Sequence, residues 1–318
     1  MRALVTGAGG FIGANLVRRL LDAGQTPIAA VRPGEVPWRL SEIASEVELL
    51  PVDLSDPAAT EASVLRSHPE AIFHLAASGA YSWQQDLDAM LAVNVRALDA
   101  LLSGARRTDA TLVNAGSSSE YGLIDHPAVE GDRLEPNSHY AVTKSAATHL
   151  CRLAAGVHGQ TAITVRLYSI YGPWEDPGRL MPVLVRSARA GVWPPLVAPD
   201  TARDFVWVDD ACDALLAAAD PPAGEPGAVF NVASGVETTI GALVEIVRAL
   251  FEVAAEPVWG EHPARRWDTT RWVGDPTHAE SHLGWRASTP LADGLARLAA
   301  WFDAHPELDG RYAPASSA

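Results

Sequence analysis

The segment Val5-Thr6-Gly7-Ala8-Gly9-Gly10-Phe11-Ile12-Gly13 constrains this chain more than any other. It joins a short apolar run, Ala3 to Val5, to a stretch with helical periodicity, Phe11 to Leu21. Glycines at 7, 10 and 13 are what a strand-to-helix turn needs when a pyrophosphate must reach the backbone, because a side chain there would block it. The helix N-terminus adds free N–H groups and a partial positive charge. A glycine-rich stretch alone is weak, and a tight turn without ligand is the competing reading. The strand before it and the helix after it supply the context that the motif requires. Gly7, Gly10, Phe11, Ile12 and Gly13 are therefore the first candidate cofactor-binding residues.

The alternation continues. Pro27 to Val31, Val47 to Val52, Ala71 to Leu75, Leu112 to Ala115 and Ile163 to Leu167 read as strands. Long amphipathic helices fall between them, notably Asp86 to Arg107 and Ser138 to Val157. This order predicts an α/β chain, a Rossmann-like, doubly wound parallel sheet covered on both faces. After about Tyr171 proline and glycine become frequent and short elements mix. Residues 1–170 are read as the dinucleotide-binding domain. Residues 171–318 are read mainly as a smaller mixed α/β substrate-binding lobe, with a strand near 229–232 returning to the first sheet. Gly241 to Phe251 and Pro290 to Phe302 read as helices, and Arg311 to Ala318 is expected to fray.

With 48% hydrophobic and 20% charged residues, the 318-residue chain has the balance of a globular protein with a sizeable core. The formal net charge of −15, with no basic run, argues against a nucleic-acid partner. Cys151 and Cys212 sit in apolar helical patterns and read as buried free thiols, and no Cys/His spacing suggests a metal site. No apolar run reaches the roughly 18 residues that span a membrane. The chain opens on a strand, so a cytoplasmic location is expected.

The end of the second strand should report the dinucleotide. An acid there would hold the ribose 2′-hydroxyl of NAD, whereas an arginine can pair with the 2′-phosphate of NADP. The chain reads Ala30-Val31-Arg32-Pro33-Gly34, with Arg39 shortly after and no acid at the strand end. Arg32 therefore favours NADP(H) over NAD(H). Asp53, in Val52-Asp53-Leu54, is read as ending the third strand, where an acid can accept a hydrogen bond from the adenine amino group.

Tyr140-Ala141-Val142-Thr143-Lys144 lies on an expected helix, and a spacing of four puts both side chains on one face. A tyrosine of unperturbed pKa about 10 is a poor base, and a nearby ammonium favours its phenolate. The lysine can also hold the nicotinamide ribose, so Tyr140 and Lys144 count among the cofactor-binding candidates too, and the pair suits moving a proton on or off a sugar hydroxyl while a hydride moves. The strand Leu112 to Ala115 runs into Gly116-Ser117-Ser118-Ser119-Glu120-Tyr121-Gly122, where a hydroxyl at the strand end could bind the reacting oxygen.

Together these motifs resemble the extended short-chain dehydrogenases/reductases, in the nucleotide-sugar epimerase/dehydratase group. The likeness covers nearly the whole chain. It rests on the glycine turn, Asp53, His74-Leu75-Ala76-Ala77, Asn94, the Tyr140/Lys144 pair, Arg166 to Pro173, Arg203-Asp204-Phe205-Val206 and Gly284-Trp285. The resemblance implies that Ser117 and Tyr140 contact the sugar oxygen at the redox carbon and that Lys144 supports the tyrosine. It adds Leu75, Ala76, Ala77 and Asn94 to the cofactor set. Arg203 and Arg265 match the family's phosphate-gripping arginines, the latter helped by the seven-residue step from Asp268 to Asp275. Tyr81, Ser118, Ser119 and Ser169 are further substrate candidates. The resemblance also implies a homodimer in which the two long helices pair across a two-fold axis as a four-helix bundle.

Three departures bear on the reaction. Sugar 4,6-dehydratases of the group carry an acid just after the catalytic hydroxyl, where this chain has Ser118 and Ser119, with Glu120 one residue late. The group often has an asparagine where this chain has Ser169. Arg32 suits an exchangeable reducing cofactor. The reading leans to an NDP-4-keto-hexose reductase similar to CDP-abequose synthase. An NDP-sugar epimerase acting through transient oxidation, expected at C4, is the alternative. A 4,6-dehydratase ranks lower, as does a non-catalytic cofactor sensor, since sensors on this fold tend to lose the tyrosine. Trp83, Trp174, Trp193 and Trp267 lie in segments that face the cleft, although packing within the small lobe explains them more simply. His74 is read as structural and His139 as exposed.

Overall fold

The computed structural model describes residues 1–81, 83–221, 225–260 and 271–313. β1 (Arg2–Thr6) leads through the glycine turn into α1 (Phe11–Asp22). β2 (Thr26–Val31), β3 (Glu48–Pro51), α2 (Pro57–Ser67) and β4 (Ala71–His74) follow. α3 (Leu87–Met90), a π-helical turn over Leu91–Arg96 and α4 (Ala97–Thr108) run on without a break. β5 (Thr111–Ser117), α5 (His139–His158) and β6 (Ala162–Leu167) complete this half.

The rest of the described chain holds β7 (Ser169–Tyr171), α6 (Leu180–Arg189), β8 (Ala202–Arg203), β9 (Phe205–Trp207) and α7 (Val208–Ala218). Then come β10 (Val229–Val232), β11 (Thr238–Thr239), α8 (Ile240–Phe251), α9 (Thr277–Leu283), α10 (Leu291–Ala304) and α11 (Asp309–Tyr312).

Seven strands form one parallel sheet in the order β10-β6-β5-β4-β1-β2-β3. Its strands are apolar at successive positions because both faces are covered. Ala3, Val5, Phe73, Val113 and Val165 enter one buried cluster. Leu4, Ile72, Leu112 and Ala162 enter the other, as the two-residue period of a strand requires. The strand order reverses between β4 and β1, so the carboxyl ends there open a crevice at the glycine turn.

β10 pairs with β6 and so joins the second half to the first sheet. Two short ribbons, β7 with β9 and β8 with β11, carry the smaller part. Asp204, fully buried between β8 and β9, accepts from the N–H and hydroxyl of Ser234 and from the N–H groups of Gly235 and Gly274. One carboxylate thus fixes three chain segments beside the crevice.

Three features depart from expectation. The third strand ends at Pro51, so Asp53 lies beyond it and not at its last position. The helix expected over Asp86 to Arg107 contains the π turn, within which Asn94 is buried. Arg311 and Tyr312 do not fray. Tyr312 is buried against Trp38, Trp301 and Phe302, its hydroxyl donates to the Glu175 carbonyl, and Arg311 stacks on Trp38. Aromatic burial there offsets the ordering cost that a chain end normally escapes. Cys151 and Cys212 are buried and free. Among the described residues no helix is long and apolar enough to cross a membrane.

Candidate active site

The crevice widens into a cleft of about 2040 Å³ running between the two halves. Drug-sized ligands occupy roughly 300–1,000 Å³, so this space suits two large ligands at once. Gly7, Gly10, Phe11, Ile12 and Gly13 line one end. Gly7 has φ +68°, a conformation that favours glycine, and a Cβ at Gly13 would stand 2.2 Å from the Gly7 carbonyl oxygen. The helix can therefore pack tightly on the turn only without that side chain. Gly10 caps α1 with no side-chain acceptor, which leaves first-turn N–H groups to a ligand. The donors and their setting fit a pyrophosphate.

Arg32, Asp53, Leu54, Leu75, Ala76 and Ala77 also line this part of the cleft. Hydrogen bonds from the Ser55 hydroxyl and N–H hold the Asp53 carboxyl below the usual range. Two neighbours do other work. Arg39 is buried, stacks on Trp38 and donates to the Trp174 and Gly9 carbonyls, whereas Arg32, just beyond β2, is exposed at the cleft wall. Asn94 does not line the cleft. Its side chain bonds both the N–H and the carbonyl of Ser78 and reaches Thr143, so it positions the loop after β4 against α5.

The candidate catalytic residues come from β5 and α5. Ser117 is the last residue of β5, and Tyr140 sits in the first turn of α5, which Ser138 caps by accepting from the Ala141 N–H. Ser117, Ser118, Ser119, Tyr140 and Lys144 all line the cleft. Ser117 hydrogen-bonds Tyr140 and its hydroxyl also lies 2.8 Å from that of Ser119. Lys144 stands one turn on, its Nζ 5.8 Å from the centre of the Tyr140 ring, and donates to the Ala115 carbonyl at 2.8 Å. Burial pushes Tyr140 up to about 12, against the pull of the Ser117 bond. Burial also pushes Lys144 down to about 8. The tyrosine is therefore raised and not lowered as expected: desolvation of the phenolate outweighs the Ser117 hydrogen bond and the Arg179 charge, and Lys144 is not among the groups that pull it down.

Glu120 is not a cleft residue. It is fully buried, one oxygen accepting the Ser117 N–H and the other accepting from Thr148 and from Arg166, itself fully buried, at 3.0 Å. Ser117 and Glu120 form a reciprocal capping box around the short 3₁₀ turn Ser118–Tyr121. The pattern Ser-x-x-Glu in the sequence is the signal for that role. His74 is likewise structural: it is buried, pairs with the Thr6 hydroxyl and is pushed down to about 3 by burial.

Elsewhere on the cleft wall Tyr81 stacks on Trp83 and carries the Arg179 guanidinium over its ring; Trp83 itself is exposed and does not line the cleft. Ser169 and Arg203 line the cleft, Arg203 over the Trp272 ring. Arg265 and Trp267 fall outside the described residues. Trp174 packs among Trp38, Trp301 and His305, and Trp193 donates to the Ala255 carbonyl; neither lines the cleft. Sequence reasoning missed Glu175, Arg179 and Trp272. Glu175 is buried at the cleft wall, and burial pushes its carboxyl up to about 8. An acid in the first turn beyond Gly172-Pro173-Trp174 offers no periodic signal.

A doubly wound parallel sheet with a glycine turn, and a strand-end serine facing a Tyr-x-x-x-Lys helix, define an extended short-chain dehydrogenase/reductase. Residues 3–233 match the NAD dependent epimerase/dehydratase family, and the chain belongs to it. A UDP-glucose 4-epimerase of Mycolicibacterium smegmatis is 31% identical over 95% of this chain and 98% of its own length. A dTDP-glucose 4,6-dehydratase of Streptomyces griseus is 28% identical over 99% and 98%. Among solved structures, MoeE5 in complex with UDP-glucuronic acid and NAD superposes with a TM-score of 0.82, at 29% identity over 96% of this chain and 99% of that one.

Proposed function

We propose that this chain is an NDP-sugar 4-epimerase acting on a UDP-hexose. The observation that carries the reading is the loop after Ser117. It offers the cleft hydroxyls only, while Glu120 is locked between Arg166, Thr148 and the backbone. Elimination of water needs an acid and a base beside the redox centre, and this loop has neither free. Inverting one carbon needs only the Ser117, Tyr140 and Lys144 set, used twice. The relatives named as 4-epimerases support this alternative over the ketoreductase first favoured.

Tyr140 takes the proton from the sugar hydroxyl and returns it after the sugar turns over. Ser117 holds the same oxygen, and Lys144 keeps positive charge near the phenol. When bound, the dinucleotide supplies the hydride acceptor and donor, and its oxidised ring adds a charge that favours the phenolate. Gly10 and the first turn of α1 hold its pyrophosphate. The cleft volume leaves room for a keto sugar to rotate.

Arg32, with no acid at its strand end, supports NADP as the dinucleotide, although relatives such as MoeE5 bind NAD. Arg32→Asp should shift preference toward NAD by about tenfold or more, as judged by competitive binding. An unchanged ratio removes this part of the reading.

Val142, Leu153 and Val157 lie on one face of α5, 49%, 57% and 64% exposed. Three large apolar groups on one helix face call for a partner, which supports a homodimer through α5 and the preceding helical pair.

The function test is incubation with UDP-glucose and, separately, UDP-glucuronate, without added cofactor. A C4 epimer formed with no net dinucleotide consumption is expected. In a parallel assay supplied with NADPH and an NDP-4-keto-hexose, net oxidation of NADPH would restore the reductase, and loss of water from either UDP-sugar would restore the dehydratase.

A further inference from the structure

Outside the cleft, Glu225, His278 and His282 bring three ligand atoms together beside β10. His278 and His282 are one turn apart on α9, and Glu225 lies in the segment that enters β10. His278 Nε2 is 3.6 Å from one Glu225 oxygen and His282 Nε2 is 3.2 Å from the other. All three atoms lie within 4.8 Å of one another.

The opposite nitrogens decide what these atoms are. His278 Nδ1 is 3.0 Å from the Val229 carbonyl, and His282 Nδ1 is 3.2 Å from the His278 carbonyl and 2.9 Å from the Ser281 hydroxyl. A carbonyl only accepts, so in each neutral ring Nδ1 carries the proton and Nε2 presents a lone pair. Two lone pairs then face a carboxylate, an arrangement relieved either by a proton on each Nε2 or by one metal ion that serves both rings at once. Metal ligands are commonly oriented in this way, through their second nitrogen. A tetrahedral zinc with bonds near 2.1 Å separates its ligand atoms by about 3.4 Å. Each histidine nitrogen stands close to that distance from a Glu225 oxygen, His278 from one oxygen and His282 from the other.

We infer that Glu225, His278 and His282 bind a divalent transition-metal ion of the zinc type, with water completing its shell. Two imidazoles and a carboxylate form the donor set that zinc accepts. The ion would join α9 to the entry of β10. α9 directly follows the segment carrying Trp272, which lines the cleft, and Gly274, which Asp204 holds. The site is structural and stands independently of the proposed reaction.

The test uses the full chain without a histidine tag, stripped by chelator and titrated calorimetrically with Zn²⁺ alone. One equivalent is expected. His282→Ala and Glu225→Gln should each weaken binding by at least about tenfold, since even the partners of metal ligands matter on that scale. Zn²⁺ should raise the melting temperature of the wild type but not of the His278→Ala/His282→Ala variant. His282 is exposed, so its variant is expected to fold, and circular dichroism checks this. Glu307→Gln, in the separate Glu42/His305/Glu307 group, should keep the equivalent. Uptake below one equivalent, full binding by the double variant, or loss of the equivalent in Glu307→Gln overturns the assignment.

Discussion

Glu175 is a buried acid at the cleft and Tyr140 a half-buried one, and desolvation acts on them in the same direction. Tyr140→Phe keeps the ring and removes only the proton carrier. The kcat for epimer formation should fall by roughly 10²–10⁴-fold with dinucleotide binding unchanged; a fall under tenfold would remove Tyr140 from the chemistry. Glu175 is held near 8, above its ordinary value of 4.5. Its folded pKa is raised, so its contribution to stability is full at acidic pH and is lost as pH rises through about 8. Glu175→Gln mimics the protonated form and should lose less stability than wild type between about pH 5 and pH 9. Parallel declines in the two melting curves would refute this. Ser117, Tyr140 and Lys144 were legible because a strand end and a four-residue helical step place them. Glu175 was not, since its burial depends on the Arg39 and Tyr312 segments, far away in sequence.

At the scale of elements, the passage from β5 through the 3₁₀ turn to α5 is one rigid unit. Its lock is the Glu120–Arg166 pair, with both side chains 0% exposed. Glu120→Ala should destabilise the chain by about 3–5 kcal/mol in denaturant unfolding, because it leaves a buried guanidinium uncompensated. A loss within about 0.5 kcal/mol would mean that the pair does not act as the lock. Periodicity placed nearly every strand and helix of the sheet, because both faces are apolar and turns punctuate them. It did not reveal the π turn, where Asn94 occupies a buried position on an otherwise apolar helix face. Nor did it reveal α11, whose few polar residues are ordered by one aromatic cluster. Such anchoring is a property of contacts far apart in sequence.

For the whole molecule, the stripe on α5 predicts twice the 33.7 kDa chain mass by light scattering at micromolar concentration. Leu153→Glu should shift the protein toward the single-chain mass without unfolding it, since Leu153 is 57% exposed. A single-chain mass for the wild type would sink the dimer. The pairing of β10 with β6 also has a consequence for synthesis on the ribosome. Strands β1 to β6 are translated long before β10, and at about 5–20 residues per second the interval is roughly 3–13 s. Throughout it the nascent sheet presents the outer backbone of β6 unpaired, a template for another nascent chain. Chains interrupted before Val229 should therefore be the ones that chaperones retain and that aggregate.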